Sequence, residues 1–349
     1  MRIGIVNDDA GSVLVLKSTI DELTDHEICW VADNGAQAVA KCAEDTPDLL
    51  LMDLHMPIMN GVDATRKIMQ HTPCAILVVT ISISSNTALV FDAMGAGAID
   101  VVKTPSIGSR DEINEKNDLV RKIQIVTNLV SANPTQADTD VDNDTQNVKR
   151  SRKKKQLVVF GASTGGPGVL ATILKEIPDD FHVPIIIVQH VDSSFAGNFA
   201  DWLDKQCALD VRIACENDTP QSGSVLIAGT NDHLVMRKNG RLSYSVEPED
   251  YIYKPSVNVF FNSVARYWQG DVIASLLTGM GKDGADGLAS IHNKSGYTIT
   301  QSKETCAVYG MPKAADELGC SNTSLAPQEI AGTILDLTGY HFEDKIDQA

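Results

Sequence analysis

Three polar residues that lie far apart in the second half of the chain have the types expected of a hydrolytic triad. Ser163 lies in GASTGG, His190 ends VQH, and Asp283 lies in GMGKDG. A serine hydroxyl is a weak nucleophile at neutral pH, so it needs a neighbouring imidazole to accept its proton. The imidazole in turn needs a carboxylate that fixes its tautomer and offsets its positive charge. We therefore expect Ser163 to be the nucleophile, His190 the base and Asp283 the orienting acid.

The sequence around Ser163 narrows the class of hydrolase. It matches G-x-S-x-G, a turn from strand to helix that exposes a serine. Such turns also bind phosphates, but the Walker pattern is excluded because no Lys–Ser/Thr pair follows the last glycine. The chain order Ser, His, Asp differs from that of a conventional α/β-hydrolase, in which the acid precedes the histidine. We expect a different doubly wound α/β domain.

Each triad position has rivals. His190 directly follows the apolar run PIIIVQ, which places it at the mouth of a buried strand, although capping of the next helix is an alternative role. His233 and His292 are weaker candidates for the base, and His233 is the one that could line the cleft. Asp286 lies three residues after Asp283, where we expect a carboxylate in the first turn of a helix.

A second set of polar residues occupies the first half of the chain. Asp8, Asp53 and Thr80 follow or end the first, third and fourth strand candidates, so a parallel sheet would bring them to one edge. Two neighbouring carboxylates favour a hard divalent cation such as Mg²⁺. The cation also neutralises an incoming phosphoryl group, which one carboxylate can then attack. The spacing indicates a phosphate-accepting switch.

The elements that must position these residues alternate along both halves. In the first half we predict a five-stranded parallel sheet covered on both faces, because five apolar runs alternate with amphipathic stretches. The predicted strands are 3–6, 27–32, 48–52, 75–80 and 98–102, and the helices lie near 12–23, 36–44, 60–70, 86–94 and 111–130. In the second half we predict strands at 157–160, 184–189, 224–229, 272–279 and 297–301, with helices from 166 and near 256–268 and 284–294.

The composition divides the chain into three parts and excludes several classes of protein. We predict domains at 1–128 and 156–349 joined by a flexible linker at 129–155, because the linker has too few apolar residues to form a core. Its basic run KRSRKKK is interpreted as a solvated hinge end, with a nucleic-acid patch as the alternative. A net charge of −17 argues against nucleic-acid binding.

The location of the protein follows from what the sequence lacks. We expect no membrane insertion, since no stretch approaches the roughly 20 apolar residues that a spanning helix needs. Seven cysteines without a CxxC pair indicate reduced thiols and a cytoplasmic protein.

The first domain resembles a family. IVNDD, LLLMDLHMPIMNG, VVT and GAIDVVKTP resemble a two-component receiver domain, a flavodoxin-like fold, over about residues 1–125. The resemblance implies Asp53 as phospho-acceptor, Asp8 and the His55 main-chain carbonyl as further Mg²⁺ ligands, and Thr80 as the switch hydroxyl. Two positions depart from the pattern: the acidic pair after the first strand is Asn7–Asp8, and Thr104 replaces the lysine before Pro105. Lys103 is then the candidate switch lysine, although alternation along a strand turns it to the other face.

The second domain resembles the catalytic domain of chemotaxis response-regulator methylesterases over about residues 157–337. The resemblance lies in GASTGG, VQH, LLTGMGKDG, AGTNDH, YKPSVNVFF and AVYGMPKAA. It implies cofactor-free hydrolysis of glutamyl γ-methyl esters on methyl-accepting receptors, and in many relatives deamidation of receptor glutamines. Backbone N–H groups of Thr164 and Met280 are the oxyanion candidates. MRIGIVND and TPCAILVVT are closest to the surface-sensing, Wsp-type branch.

The two halves are expected to work together. We expect the unphosphorylated receiver to pack over the mouth of the hydrolase site, and phosphorylation of Asp53 by a histidine kinase of the receptor array to loosen that contact. A receiver joined to a non-catalytic adaptor is the alternative function. A DNA-binding regulator would need a helix-turn-helix with a basic face, and residues 157–349 instead predict buried strands and glycine turns.

Overall fold

The computed structural model describes residues 1–82, 84–106, 108, 110–131, 155–249, 251 and 253–340. Residues 132–154 of the predicted linker, including all of the basic run except Lys155, lie outside the described residues. The predicted boundaries at 128 and 155 therefore stay predictions. Helix and sheet content on both sides of this gap confirms the predicted α/β class.

The first domain is a parallel sheet with helices on both faces. Its strands are β1 (Arg2–Val6), β2 (Glu27–Ala32), β3 (Leu49–Asp53), β4 (Ala75–Thr80) and β5 (Asp100–Lys103), in the order β2-β1-β3-β4-β5. Its helices are α1 (Ala10–Leu23), α2 (Gly35–Glu44), α3 (Gly61–His71), α4 (Thr87–Gly95) and α5 (Glu112–Ser131). The predicted strands and helices are confirmed to within two residues at their ends.

The strands of this sheet are apolar on both faces, as burial between two helical layers requires. Ile3, Ile5 and Leu51 point to the face covered by α1 and α5. Leu50 and Met52 point to the other face, where α2, α3 and α4 pack. Because the pairs β1–β3 and β3–β4 are parallel, the carboxyl ends of these strands share one edge of the sheet.

The second domain is built on a larger parallel sheet. Its strands are β6 (Gln156–Ala162), β7 (Ile185–Gln189), β8 (Asp210–Ile213), β9 (Ser224–Ile227), β10 (His233–Met236), β11 (Leu242–Ser245), β12 (Asp271–Leu276), β13 (Tyr297–Gln301) and β14 (Thr323–Leu325). Its helices are α6 (Gly166–Lys175), α7 (Ser193–Asp204), α8 (Val257–Tyr267), α9 (Ala285–Asn293), α10 (Met311–Glu317) and α11 (Pro327–Thr338). β10 and β11 form a separate antiparallel hairpin.

The order of the larger sheet determines where a site can form. It runs β14-β13-β12-β6-β7-β9-β8, so β6 lies between β7 and β12. The strands that follow β6 in the chain first extend the sheet on one side, with β7, β8 and β9, and later on the other side, with β12, β13 and β14. In an open parallel sheet, ligands bind outside the carboxyl ends of the strands where the order reverses. That position is the loop after β6, which begins with Ser163. No helix in the described ranges is long and apolar enough to cross a bilayer.

The two domains pack against each other through α4 of the first and α6 and α7 of the second. Phe91 lies 5.3 Å, between ring centroids, from both Phe199 and Trp202. Gly95 and Gly168 lie so close that a Cβ on Gly95 would stand 3.1 Å from the Gly168 Cα. The contact is therefore a closely packed apolar one.

Polar contacts from α5 continue this interface. Arg121 forms an ion pair with Asp192, at the start of α7, with 3.3 Å between Nη2 and Oδ2. Lys122 is buried, bonds Asp100 at 2.7 Å and lies 5.1 Å from the centre of the Phe195 ring. These contacts bring α5 to the same end of the second domain as His190.

Candidate active site

A buried hydrogen bond joins His190 to Asp283. Nε2 of His190 donates to Oδ2 of Asp283 at 2.8 Å, and both side chains are buried. A carboxylate accepts only from a protonated nitrogen, so the proton of the neutral imidazole lies on Nε2. Nδ1 is then the atom that can accept a proton, and it is buried without a partner among the described residues.

Asp283 keeps its charge although it is buried. Val257 N–H donates to Oδ2 at 2.7 Å, while the Ser256 hydroxyl and Asn258 N–H donate to Oδ1 at 2.7 and 3.1 Å. Burial by itself raises the pKa of Asp283, but His190 and these donors hold that pKa below its ordinary value. The donors belong to the first turn of α8, where backbone N–H groups lack helical partners. The carboxylate is thus fixed in its ionised form.

Ser163 and His190 leave neighbouring strands at the same level. Ala162 pairs with Gln189 in the β6–β7 register, and His190 N–H donates to the Ala162 carbonyl at 3.0 Å. Ser163 and His190 both line one cleft of about 350 Å³. The Ser163 hydroxyl forms no hydrogen bond to a described residue, so the nucleophile and base share the cleft without a direct bond. Such bonds often tighten only when substrate is bound.

Glycines permit the close approach of the turns around Ser163. Gly165, the residue directly before α6, has φ +82°, a left-handed conformation that glycine adopts without strain. A Cβ at Gly279 would lie 2.7 Å from the Cβ of Ser163. The turns around Ser163 can therefore adopt this geometry only with glycine at both positions.

The oxyanion candidates Thr164 and Met280 line the same cleft. Neither backbone N–H donates to another described residue. The turn that holds Met280 is fixed because the Gly279 carbonyl accepts from the N–H groups of Gly310 and Met311, at 3.1 and 2.9 Å. Two available N–H groups beside a serine match the requirement for stabilising a tetrahedral oxyanion.

The rival residues have other roles. His233 is buried, accepts from Ser256 N–H at Nδ1 and donates from Nε2 to the Pro248 carbonyl, so neither nitrogen is available as a base. His292 contacts the Thr298 hydroxyl from α9, and Asp286 lies in the first turn of that helix, as predicted.

Sequence reasoning missed two residues beside the triad. Gln189 is fully buried, and its amide donates to the carbonyls of Ser163 and His190 at 2.9 and 3.1 Å. Tyr253 stacks on His190 with ring centroids 4.0 Å apart and planes 8° apart. A glutamine at the end of the apolar run PIIIVQ was a signal for the first residue. Tyr253 begins the motif YKPSVNVFF, whereas Tyr251 lies outside it, but the motif gave no sign that the Tyr253 ring would stack on His190.

The predicted phosphorylation residues lie at the carboxyl edge of the first sheet. Burial and the charge of Asp8 raise the pKa of Asp53 to about 6, against the opposing effect of the Leu54 N–H, which donates to Oδ1 at 2.8 Å. Asp9, the residue after Asp8, caps α1 because its carboxylate accepts a hydrogen bond from Ser12 N–H.

These oxygen donors fit the cation that the sequence implied. Carboxylate oxygens are the hard, anionic ligands that Mg²⁺ prefers. No group of three or more His, Cys, Asp or Glu side chains suited to a metal occurs among the described residues. A site that combines two carboxylates with the His55 carbonyl is compatible with that finding.

The switch candidates have defined partners. The Thr80 hydroxyl accepts from the Asn86 amide at 2.9 Å, and Asn86 Oδ1 contacts the His55 ring at 2.9 Å. Lys103 forms an ion pair with Glu115, with 2.6 Å between Nζ and Oε1. Thr104, at the position before Pro105, is buried, and its hydroxyl has no partner among the described residues. Lys103 would have to leave Glu115 to contact a phosphoryl group.

Comparisons with known proteins support the resemblances predicted for both halves of the chain. The family model "CheB methylesterase" matches residues 158–334, and "Response regulator receiver domain" matches residues 3–116. Protein-glutamate methylesterase/protein-glutamine glutaminase 3 of Pseudomonas aeruginosa is 46% identical over 331 residues, covering 95% of this chain and 98% of the relative. The corresponding protein 2 of Cupriavidus metallidurans is 48% identical over 336 residues, covering 95% and 96%.

A solved structure matches the second domain. The crystal structure of the Thermotoga maritima CheB methylesterase catalytic domain has a TM-score of 0.50 and 32% sequence identity. It covers 53% of this chain, which covers 98% of that structure. The predicted doubly wound catalytic domain is confirmed by this likeness.

The ionised state of Asp283 predicts a pH-dependent stability. Its folded pKa lies below the ordinary 3.8, so its contribution is fully present above pH 3.8 and is lost as the pH falls from there through the folded value. We expect Asp283→Asn to unfold at lower urea than the wild type at pH 7, and the gap to narrow between pH 4 and the acid limit. Urea titrations across this range measure it.

Asp286→Asn is the matched control, since Asp286 is exposed in the first turn of α9. Its urea midpoint should follow that of the wild type. A gap between wild type and Asp283→Asn that stays constant down to the lowest pH would contradict an ionised, hydrogen-bonded Asp283.

Proposed function

We propose that Ser163, His190 and Asp283 are the catalytic triad of this chain, which belongs to the CheB methylesterase family and carries a receiver domain. The reaction is the hydrolysis of glutamate γ-methyl esters on methyl-accepting chemoreceptors, which releases methanol. The observation that carries the assignment is the bond from Nε2 of His190 to the buried Asp283, beside Ser163 in one cleft.

We assign each group a role in the reaction. Oγ of Ser163 attacks the ester carbonyl carbon while Nδ1 of His190 accepts the hydroxyl proton. Asp283 stabilises the imidazolium that forms. The N–H groups of Thr164 and Met280 bind the oxyanion of the tetrahedral intermediate. As the C–O bond to the methoxy group breaks, His190 returns the proton and methanol leaves.

Water then completes the cycle. It attacks the acyl-serine carbonyl and gives its proton to His190, and collapse of the second tetrahedral intermediate returns that proton to Ser163. The products are a glutamate carboxylate and the free enzyme. A glutamine side chain can follow the same path with ammonia as leaving group, so we extend the proposal to receptor deamidation. Each step uses groups of this chain, and we propose no cofactor for the second domain.

The function of the first domain is regulation by phosphorylation. We assign Asp53 as the acceptor of a phosphoryl group from a histidine kinase of the receptor array. Asp8, Asp53 and the His55 carbonyl would hold Mg²⁺, which supplies charge neutralisation at the phosphoryl oxygens when bound. The raised pKa of Asp53 supports this role, because it reflects a buried carboxylate near a second negative charge.

The docked arrangement explains how the regulator can restrict access. Ile99, Arg121 and Lys122 of the first domain line the cleft that holds Ser163 and His190. We expect a receptor helix, about 10–12 Å across with its side chains, to be too large to enter a cleft of about 350 Å³. The first domain must therefore move away from α7 before a methylated receptor segment can reach Ser163.

A physical link joins the phosphorylation site to this contact. Asn86 lies immediately before α4, and its side chain bonds Thr80 and His55 instead of capping the helix. If the Thr80 hydroxyl turns toward a phosphoryl group, Asn86 loses that bond and the start of α4 is released. Phe91, one turn further along α4, is the residue that packs on Phe199 and Trp202.

Methanol release tests the proposed reaction. Wild-type protein incubated with membranes that carry methylated receptor should release methanol, and addition of a small phosphodonor should increase the rate. Ser163→Ala should lower the rate by about 10⁴-fold or more, since the nucleophile is lost. A folded Ser163→Ala protein that retains wild-type activity would exclude Ser163 as the nucleophile, and an inactive wild type would favour the adaptor alternative.

Weakening the contact between the domains should activate the enzyme without phosphate. Phe91→Ala removes a buried aromatic ring, a change that costs about 3–5 kcal/mol where the site cannot relax. We expect its unstimulated methanol release to rise toward the wild-type rate with phosphodonor, and stimulation to shrink accordingly.

Leu16→Ala is the matched control. Leu16 is equally buried but lies on the opposite face of the first sheet, in the cluster under α1 and α5. It should lose stability without gaining unstimulated activity. Equal basal rates in Phe91→Ala and the wild type would show that the docked domain does not limit access.

A further inference from the structure

Tyr253 occupies a position between the base and the substrate cleft. Its ring lies flat on the imidazole of His190, with 4.0 Å between centroids and 8° between planes. Its side chain also lines the cleft with Ser163 and Met280. Among the described residues, the His190 side chain forms one hydrogen bond, to Asp283, so this stack is the second contact that fixes the orientation of its ring.

The hydroxyl of Tyr253 is buried and has no hydrogen-bond partner among the described residues. A buried hydroxyl normally forms a hydrogen bond within the protein, and one that forms none has lost its hydrogen bonds to water without a replacement. A phenylalanine would fill the same space against His190 without that cost. The hydroxyl therefore contributes nothing to the folded protein in this state.

Orphaned polar atoms concentrate around Ser163. Eight buried side-chain N or O atoms lack a partner in the described part of the chain. Three of the eight belong to Thr164, His190 and Tyr253, all of which line the cleft that holds Ser163. Unmet polar groups that converge on one cleft indicate a polar ligand that supplies the missing partners.

The protonation state of Tyr253 determines which kind of bond it can make. Burial, followed by the negative charge of Asp283, raises the pKa of the phenol. The hydroxyl therefore stays protonated throughout the neutral range and can donate. It lies near the turn after Met280, since a Cβ at Gly281 would stand 3.7 Å from the hydroxyl oxygen.

We propose that Tyr253 binds the substrate: its hydroxyl donates a hydrogen bond to an oxygen of the bound glutamyl ester, while its ring positions His190. The inference rests on the proposed esterase function and adds a residue to it. No proton is transferred through Tyr253. The ring acts on the base, and the hydroxyl acts on the substrate, so substitutions can separate the two roles.

The experiment compares three variants of the full-length chain. Tyr253→Phe keeps the ring and removes the hydroxyl, Tyr253→Leu removes both, and Tyr244→Phe removes a hydroxyl whose bonds are satisfied. Tyr244 donates to the Ala214 carbonyl and accepts from Gly229 N–H, both at 2.9 Å. Methanol release gives kcat and KM, and urea titration gives the unfolding midpoint.

We expect the two phenylalanine variants to show opposite signatures. Tyr253→Phe should lose about 3- to 10-fold in kcat/KM, the loss of one hydrogen bond to substrate, with a urea midpoint equal to or above that of the wild type. Tyr244→Phe should have a lower midpoint and wild-type kcat/KM. Wild-type kcat/KM in Tyr253→Phe would overturn the hydrogen bond to substrate. The urea midpoint by itself does not decide this, because a tyrosine with a purely structural role also predicts a variant that is as stable as the wild type or more stable.

Tyr253→Leu tests the positioning role. Without the ring, His190 is less well oriented, and we expect kcat to fall a further 10-fold or so beyond Tyr253→Phe. Labelling of Ser163 by a fluorophosphonate should slow in parallel, since it depends on the same base. Labelling and kcat equal to those of Tyr253→Phe would overturn the positioning role.

The labelling arm also separates this inference from the proposed function. If wild-type protein is labelled at Ser163 but releases no methanol from methylated receptor, the receptor-ester reaction is wrong. The positioning role of Tyr253 is then still decided by the labelling rates of the variants.

Discussion

The site depends on one constraint, which is the ionised carboxylate of Asp283 in a water-excluded position. A buried charge is unfavourable unless hydrogen bonds compensate for it. Four donors do so here: Nε2 of His190, the hydroxyl of Ser256, and the N–H groups of Val257 and Asn258. They come from the end of β7 and the first turn of α8, while Asp283 itself follows β12. Formation of this hydrogen-bonded carboxylate therefore requires three separate parts of the domain to assemble, and the same assembly brings His190 next to Ser163.

The catalytic roles of Ser163, His190 and Asp283 stay predictions, but their placement at one end of the sheet could be read from the sequence because each comes after a strand. β6, β7 and β12 are neighbours in the sheet, so the residues that follow them lie close together, whatever course the chain takes between these strands. Tyr253 lacks such an anchor. It lies in an irregular segment whose course is set by the bonds of His233 to the Pro248 carbonyl and to Ser256 N–H. Those bonds join parts of the chain that no local pattern connects, and so the residue that stacks on the base could not be identified beforehand.

The same distinction applies to the fold. Long apolar runs such as IIIVQ gave strands at their observed positions, whereas α7, α10, α11 and the short strands β8, β10, β11 and β14 were not predicted. The hairpin strands have four residues each, too few for a period to be recognised. In the first domain, strand alternation predicted that Lys103 turns to the other face from the phosphate, and the role of Lys103 as the switch lysine stays a prediction. Its actual partner, Glu115 on α5, depends on how the helix packs against β5, which sequence spacing does not specify.

The interface between the domains combines two kinds of contact with different consequences. Phe91, Phe199 and Trp202 form an apolar centre, and burial of such rings supplies most of the free energy of docking. Arg121 and Asp192 lie at the rim, where an exposed ion pair adds little energy but fixes orientation. Asn86 precedes α4 and bonds Thr80, and Phe91 lies at the middle of the same helix, so the proposed movement of Thr80 would act on the apolar centre through α4. Under that proposal the separation of the domains changes the contact between them and leaves the catalytic sheet as it is.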